Sequence, residues 1–291
     1  MSLYHYCSNE VFFSIVDKRE IWLSSLNLSN DSMEGKLLSG VILQLASDDG
    51  LEADHLRLLR EQVEYLEGYF DGLGFCLSER GDLLSQWRGY AADGAGVSIG
   101  FSHRYLESLG ERYRAASARC TPGSESGFFM NRVLYTSAEQ REMLSNAYRE
   151  IKEKIQAGAF DHPRLNLLIP VSDKEHQDHG QAQKTALKEL TLRVLTLFGT
   201  LFQFKSEAFE EEREWRLISM VIKSGDKFDV RPSFEKLIPF RKFNLQGLDM
   251  EPFEEIILGP KNVTPTHVVD TFLSSRGFMN VKVTRSTATY R

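Results

Sequence analysis

Residues 209–218 read FEEEREWRLI, and they place two carboxylates two positions apart directly before an apolar run. A β-strand over residues 213–222 would put Glu212, Glu214 and Arg216 on one face, because side chains alternate along a strand. The other face would then carry Arg213, Trp215 and Leu217. Since neither face is uniformly apolar, the acidic face is expected either to line a cleft or to lie on the surface.

The composition is that of an ordinary globular protein. The chain has 291 residues, of which 42% are hydrophobic, and this suffices for a sizeable core. A net charge of -6 argues against a broadly cationic nucleic-acid-binding surface, although a local basic groove stays open. Three isolated cysteines, Cys7, Cys76 and Cys120, predict neither a disulfide framework nor a zinc site. We therefore expect a cytoplasmic protein. Cys76 lies on an apolar strand and is expected to be a small core residue.

No membrane segment is expected from the sequence. The chain opens with MSLYHY, without the basic and apolar segments of a secretion signal. Its longest uncharged apolar stretch, residues 194–204, is too short to span a bilayer. Neither export nor membrane insertion is therefore predicted.

The pattern of apolar residues predicts strands and helices that do not alternate regularly. Short strands are predicted at residues 3–7, 21–25, 73–78, 97–101 and 113–119. A helix is predicted near residues 10–18, where Phe12, Ile15 and Val16 have helical spacing. Further helical spacing is concentrated in residues 33–70 and 137–204, and a capping box from Ser137 to Gln140 opens the second stretch. This distribution favours an α+β fold, built as a single domain over residues 1–291 with helical insertions at about 33–70 and 137–204.

Glu212 and Glu214 are the leading candidates for chemistry. Two neighbouring carboxylates can divide labour, one orienting a hydroxyl while the other stabilises developing positive charge. They could equally hold a divalent metal ion. The structural alternative is a solvated edge strand in the acidic run of residues 207–214, partly paired with Arg213 and Arg216.

His5 lies between Tyr4 and Tyr6 in the opening strand, where it shares a face with Leu3 and Cys7. A lone histidine in this position is commonly a satisfied, half-buried residue. Its functional alternative is a fixed hydrogen-bond donor to a hydroxyl or amide of a ligand.

Residues 86–90, QWRGY, combine a fixed cation with two aromatic rings between a strand and a glycine-rich turn. Such a set can grip a phosphate through Arg88 and stack on a planar ring through Trp87 or Tyr90. The alternative is that both aromatic side chains anchor the core and that Arg88 forms a surface ion pair.

His176 and His179 lie among acidic residues and could suggest a metal site. Because their setting is a polar loop and no third anchored ligand is identifiable, a solvated loop is the favoured interpretation. We therefore predict no metal ligands.

Several motifs, taken in their order along the chain, resemble a bacterial family known only as domain of unknown function 2971. They are LYHYCS at residues 3–8, IWLS at 21–24, NDSME at 30–34, FCLSE at 75–79, LLSQW at 83–87, GVSIGF at 96–101, EREWRL at 212–217 and IILGP at 256–260. The resemblance runs from one end of the chain to the other, and the family name records no function.

The order of an early strand histidine, a middle strand serine and a late ExE strand is similar to that of the ADP-ribosyltransferase superfamily. Members of that superfamily bind NAD in a cleft between two small sheets. The resemblance implies mixed, largely antiparallel sheets around a central cleft. It also implies NAD as the substrate and a protein or nucleic acid as the acceptor of ADP-ribose, in a toxin or defence effector.

The same resemblance assigns roles to individual residues. His5 would hydrogen-bond the NAD ribose, and Ser24 or Ser78 would take the middle-strand position. Glu214 would bind the 2'-hydroxyl of the nicotinamide ribose and support an oxocarbenium-like transition state, while Glu212 would orient the acceptor. The nucleotide site would be completed by Tyr6, Trp87, Arg88 and Tyr90.

Two other functions stay open at this point. One is a metal-dependent nuclease or phosphodiesterase that uses Glu212, Glu214 and Asp31. The other is a non-catalytic module that binds a nucleotide or a partner. All three functions predict a cleft.

Overall fold

The computed structural model of the chain describes residues 1–29, 35–117, 127–161, 173–223, 225–233 and 235–290. The chain forms two compact units. The first consists of Met1–Ser32, Asp71–Val133 and Glu207–Arg291, and the second of Met33–Phe70 and Leu134–Ser206. The second unit coincides closely with the predicted helical insertions. That the whole chain is a single domain stays a prediction.

Ten strands occur in the described residues: β1 Ser2–Cys7, β2 Glu20–Ser25, β3 Phe70–Ser78, β4 Val97–Ser102, β5 Phe129–Arg132, β6 Glu214–Ile222, β7 Asp229–Pro232, β8 Leu237–Asn244, β9 Phe253–Leu258 and β10 Lys282–Arg285. The same residues contain eight α-helices: α1 Asn9–Lys18, α2 Leu37–Asp48, α3 Ala53–Tyr69, α4 Leu84–Tyr90, α5 His103–Ser117, α6 Ser137–Lys154, α7 Asp173–Thr196 and α8 Thr266–Ser275. Among them, none is both long and apolar enough to cross a bilayer.

Four of the predicted strands are confirmed, as β1 to β4, but the strand predicted at residues 113–119 is wrong. The described part of that segment is the last turn of α5. Helix α5 buries Tyr105, Leu106 and Leu109 at helical spacing, and this amphipathic pattern determines its structure.

The strands form one sheet in the order β10-β9-β4-β1-β3-β2-β8-β7, and β6 pairs with β3 and β5 away from this path. β10 lies parallel to β9, whereas β1 with β3, β1 with β4, β2 with β3, β2 with β8, β4 with β9, β5 with β6 and β7 with β8 are antiparallel. The prediction of a mixed, largely antiparallel architecture with helices is therefore confirmed.

The sheet branches at β3, because β1, β2 and β6 all pair with this strand. Tyr4 of β1 lies opposite Ser78 at the end of β3, and Ser24 of β2 lies opposite Gly74 nearer its start. The backbone N–H of Glu79 donates to the carbonyl of Arg213, 3.1 Å away and directly before β6. The acidic segment thus joins the sheet where β3 ends.

One face of the sheet is apolar and is covered by α1, α5 and α8. Alternate residues of the strands point into this core, including Leu3, Cys7, Phe75, Leu77, Leu217 and Val221. The helices contribute Phe12, Ile15, Val16, Tyr105, Leu106, Leu109, Val269 and Leu273. Because side chains alternate, the residues directly adjacent in sequence to these positions lie on the opposite face of the sheet.

On that opposite face, α4 packs through a second and smaller cluster. It consists of Tyr6, Trp87, Ala91 and Ile257, with Tyr4 and Ala288 packed against it. Trp87 is fully buried there. This cluster places the short helix α4 beside the end of β3.

The second unit contains α2, α3, α6 and α7. Its capping box is one residue earlier than predicted, because Thr136 caps α6 and Glu139 closes the box. Gln140, predicted to close it, instead donates to the carbonyls of Leu134, Tyr135 and Lys205. These bonds fix the start of α6 within this unit.

Candidate active site

The segment before β6 is not a continuous strand. Residues Glu207–Glu212 form a 3-10 helix, and β6 begins only at Glu214. Between them Arg213 has a φ of 43°, which is uncommon for a residue other than glycine. Its N–H donates to the carbonyl of Glu210 at 3.1 Å. The prediction that the strand includes Arg213 is therefore wrong, and simple alternation does not relate Glu212 to Glu214.

Glu214 and Arg216 form a buried ion pair on one face of β6. The Arg216 guanidinium donates through Nε to Oε1 of Glu214 at 2.7 Å and through its terminal nitrogen to Oε2 at 2.9 Å. Arg216 is fully buried and Glu214 is 4% exposed. Such a bidentate pair fixes the orientation of the carboxylate. The predicted shared face of these two residues is confirmed.

Glu212 lies close to two of the other predicted site residues. The hydroxyl of Tyr90 donates to its Oε1 at 3.5 Å, and Oγ of Ser78 donates to its backbone carbonyl at 2.6 Å. Ser78 Oγ also accepts from the N–H of Arg80 at 3.0 Å. Glu212 is buried, whereas Tyr90 is 43% exposed. The structure therefore brings Ser78, Tyr90 and Glu212 together.

Tyr6 and Trp87 form the support beneath this group. Their rings meet edge to face with centroids 4.8 Å apart. The Tyr6 hydroxyl donates to the carbonyl of Arg80 at 2.7 Å and accepts from the N–H of Leu83 at 2.9 Å. Burial raises the pKa of Tyr6, so its hydroxyl is protonated at neutral pH. Both rings thus hold the loop between β3 and α4.

Ser24 and Arg88 lie elsewhere. Ser24 is on β2, where its hydroxyl accepts from Arg231 at 3.3 Å. The Arg88 guanidinium lies 5.8 Å from the centre of the Tyr290 ring. No contact of either side chain with Glu212 or Glu214 occurs among the described residues, so the structure does not assemble them with the acidic group.

His5 occupies the apolar side of β1, as its alternation with Leu3 and Cys7 predicts. Its ring stacks on Phe75 with centroids 3.9 Å apart, and its Nδ1 lies 2.8 Å from the carbonyl oxygen of Cys76. Because that oxygen can only accept, Nδ1 carries the proton. Burial lowers the pKa of His5 to about 4, against the opposing effect of the bond to Cys76. His5 is therefore neutral at pH 7.

His5 and Glu214 lie on different faces of the sheet. Leu217 of β6 points into the same apolar core as Leu3 and Cys7, and Trp215 packs against that core. Glu214 alternates with Trp215 and so points to the other face. The early histidine and the late glutamate do not meet on one face, because their strands present opposite sides to the core.

Two further predictions concern cysteine and metal. Cys76, predicted to be a small core residue, is exposed because it alternates with the buried Phe75 and Leu77. Within the described residues, no three His, Cys, Asp or Glu side chains are placed to hold a metal ion. His176 and His179 lie in α7, so the prediction of a polar loop at these positions is wrong. Their side chains, together with Asp31 and Cys120, lie outside the described residues.

Asp82 is a residue of this region that the motifs discussed above do not include. Its Oδ1 accepts from the indole N–H of Trp87 at 2.7 Å, and the same carboxylate binds Ser286 and Thr287. An aspartate before a helix is usually taken as a cap, yet α4 has Leu83 at its N-cap and no side-chain capping bond. A tryptophan buried beside an aspartate in the same loop is the signal that could have located it.

Comparison with known proteins gives one family match. A family model described as "Protein of unknown function (DUF2971)" matches residues 86–217. This range begins at the residue before Trp87 and ends at the residue after Arg216, so it includes Tyr90, Glu212 and Glu214. Neither the curated proteins nor the solved structures gave a match.

Proposed function

We propose that this protein is an ADP-ribosyltransferase-like enzyme that cleaves NAD at the bond between nicotinamide and ribose. The observation that carries the proposal is the Glu214 carboxylate, buried and held in one orientation by the fully buried Arg216. A carboxylate held in one orientation can stabilise a cationic transition state, although its pairing with Arg216 offsets part of its negative charge. The site would lie on the polar face of the sheet, around the end of β3.

Departure of nicotinamide leaves positive charge on the ribose, shared between its anomeric carbon and ring oxygen. Glu214 would stabilise this charge and accept a hydrogen bond from a ribose hydroxyl. The bidentate pairing with Arg216 uses one lone pair on each carboxylate oxygen.

Glu212 would serve the second half of the reaction. Its backbone is held by Ser78, and its carboxylate lies at the hydroxyl of Tyr90. It would orient the acceptor, a protein or a nucleic acid, for attack on the ribose. The half-exposed ring of Tyr90 offers a surface on which a base can stack.

We leave His5 out of this chemistry. Its neutral ring is stacked on Phe75 and bonded to the Cys76 carbonyl, which suits a structural link between β1 and β3. By strand alternation Tyr6 points to the face that also carries Glu214, whereas His5 points to the apolar core.

A non-catalytic nucleotide-binding role is the second candidate, and one observation favours it. Glu214 is only 4% exposed and already pairs with Arg216, which suits a structural ion pair. Both functions predict NAD binding, but only the first predicts release of nicotinamide.

Thermal unfolding with and without NAD tests whether the ligand binds. At a concentration one hundred times its Kd, a ligand stabilises the folded state by about 2.7 kcal/mol. We expect NAD to increase the free energy of unfolding by this amount in the wild type and in Glu211→Gln. Glu211 is an exposed residue of the 3-10 helix Glu207–Glu212 and serves as the control. Glu214→Gln should show a smaller increase, because the ribose hydroxyl meets a weaker acceptor.

A far-ultraviolet circular dichroism spectrum identical to that of the wild type shows that Glu214→Gln is folded. Glu214→Asp, which keeps the charge opposite Arg216, provides a second variant if the first does not fold. Stabilisation by Mg²⁺ or Mn²⁺ alone, with no response to NAD, would favour the metal-dependent alternative and contradict the proposal.

A further inference from the structure

Asp82 collects an unusual number of hydrogen bonds for a residue in an exposed loop. Its Oδ1 accepts from Trp87 Nε1 at 2.7 Å and from Ser286 Oγ at 2.5 Å. Its Oδ2 accepts from the N–H of Thr287 at 2.7 Å and from its Oγ1 at 2.9 Å. All of the roughly four acceptor positions of one carboxylate are thus filled. Asp82 therefore joins α4 to the segment that follows β10.

That segment, Ser286 to Tyr290, is named the strap here. Beyond Asp82 it is attached by a second carboxylate, because the hydroxyl of Tyr290 donates to Asp93 at 2.6 Å. Lys261 pairs with the same aspartate at 2.7 Å and lies 4.0 Å from the centre of the Tyr290 ring. Between these attachments Ala288 packs against the Trp87 cluster. The strap is therefore fixed at both ends across α4.

Helix α4 depends on such contacts for its position. It has seven residues and no side-chain capping bond, and a helix of this length is not stable on its own in water. Its first turn is attached by Asp82 through Trp87, and its last residue is Tyr90, whose hydroxyl donates to Glu212. A displacement of the first turn is transmitted to Tyr90 over less than two helical turns.

We propose that Asp82 is a positioning residue that clamps the strap to α4 and thereby sets the position of Tyr90 relative to Glu212. The effect on NAD binding rests on the proposed function, whereas the clamp itself does not.

The charge of Asp82 supports this role. Partial burial opposes the charged form, but hydrogen bonds from Ser286, Trp87 and Thr287 outweigh it and hold the pKa of this carboxyl below its ordinary value. The clamp is therefore charged, and four bonds can form, throughout the neutral range.

Three variants separate the clamp from general stability. Asp82→Asn removes the charge and replaces one acceptor oxygen by a donor. Thr287→Val removes one hydroxyl arm, and Thr287→Ser restores that hydroxyl as the matched control. We expect the indole N–H resonance of Trp87 and the ring resonances of Tyr90 to shift in Asp82→Asn and Thr287→Val. Both sets should stay at their wild-type positions in Thr287→Ser.

Affinity for NAD gives the second measurement. We expect about tenfold weaker binding in Asp82→Asn, the effect of losing one charge-assisted bond, and wild-type binding in Thr287→Ser. Unshifted Tyr90 resonances in Asp82→Asn would overturn the proposal. Shifted resonances with unchanged NAD affinity would support the clamp and contradict its effect on NAD binding. If the wild type does not bind NAD, the proposed function fails, and the Tyr90 resonances alone decide for or against the clamp.

Discussion

Replacing His5 by glutamine should remove a defined part of the pH dependence of stability. The pKa of His5 is lowered from 6.5 to about 4 by burial. As pH falls below 6.5, His5 binds a proton in the unfolded chain, whereas in the folded protein it stays unprotonated until about pH 4. Stability contributed by the neutral ring is therefore complete above pH 6.5 and is lost between 6.5 and 4. At about 1.4 kcal/mol per pKa unit, the contribution of His5 to the free energy of unfolding is roughly 3 kcal/mol.

The assay is urea unfolding at pH 7 and pH 4.5, followed by tryptophan fluorescence. Trp22, Trp87 and Trp215 all belong to the first unit, so the signal reports the unit that contains His5. At pH 4.5 the histidine contribution to destabilisation should be about 2.5 kcal/mol. His5→Gln should lack this contribution, because the amide can still donate to the Cys76 carbonyl but does not titrate.

The carboxylates titrate in both the wild type and His5→Gln, so their effect on the free energy of unfolding cancels when the two proteins are compared. His267→Gln, at an exposed position of α8, is the control and should follow the wild type. If His5→Gln loses as much stability as the wild type between the two pH values, His5 is not held neutral by the fold and its structural role is wrong.

Three other substitutions test separate parts of the fold. Arg216→Met should cost about 3–5 kcal/mol in urea unfolding, because it removes the guanidinium that pairs with the buried carboxylate of Glu214. Gly96→Ala should cost about 1–3 kcal/mol in the same measurement, since its Cβ would lie 2.2 Å from a backbone carbonyl oxygen of β1. Thr136→Ala should lower stability by about 1 kcal/mol, measured by circular dichroism, while Ser137→Ala changes it by less than about 0.5 kcal/mol.

Local patterns were enough to predict much of the fold. The first four strands follow from short apolar alternations, and α1 follows from Phe12, Ile15 and Val16 at helical spacing. The error at residues 113–119 arose because a short window at the end of α5 contains too few core positions to reveal a helical period. The helix becomes evident only when Tyr105 and Leu109 are included.

The candidate site was less accessible to sequence reasoning, because tertiary bonds determine it. Arg213 adopts a positive φ while its carbonyl accepts a hydrogen bond from the N–H of Glu79, directly after β3, and no local signal predicts this bond. The positive φ of Arg213 separates Glu212 from β6, the strand that carries Glu214. The different faces of His5 and Glu214 likewise depend on how β1 and β6 join β3, which motif order does not specify.

The rate of nicotinamide release from NAD is the most direct test of the proposed function. The wild type and Glu211→Gln should release nicotinamide at equal rates. Glu214→Gln should be slower by about 100-fold or more, the usual cost of losing one group that stabilises transition-state charge. Release by a folded Glu214→Gln protein at the wild-type rate would show that Glu214 takes no part in the reaction. Binding of NAD without any release by the wild type would leave only the non-catalytic nucleotide-binding role.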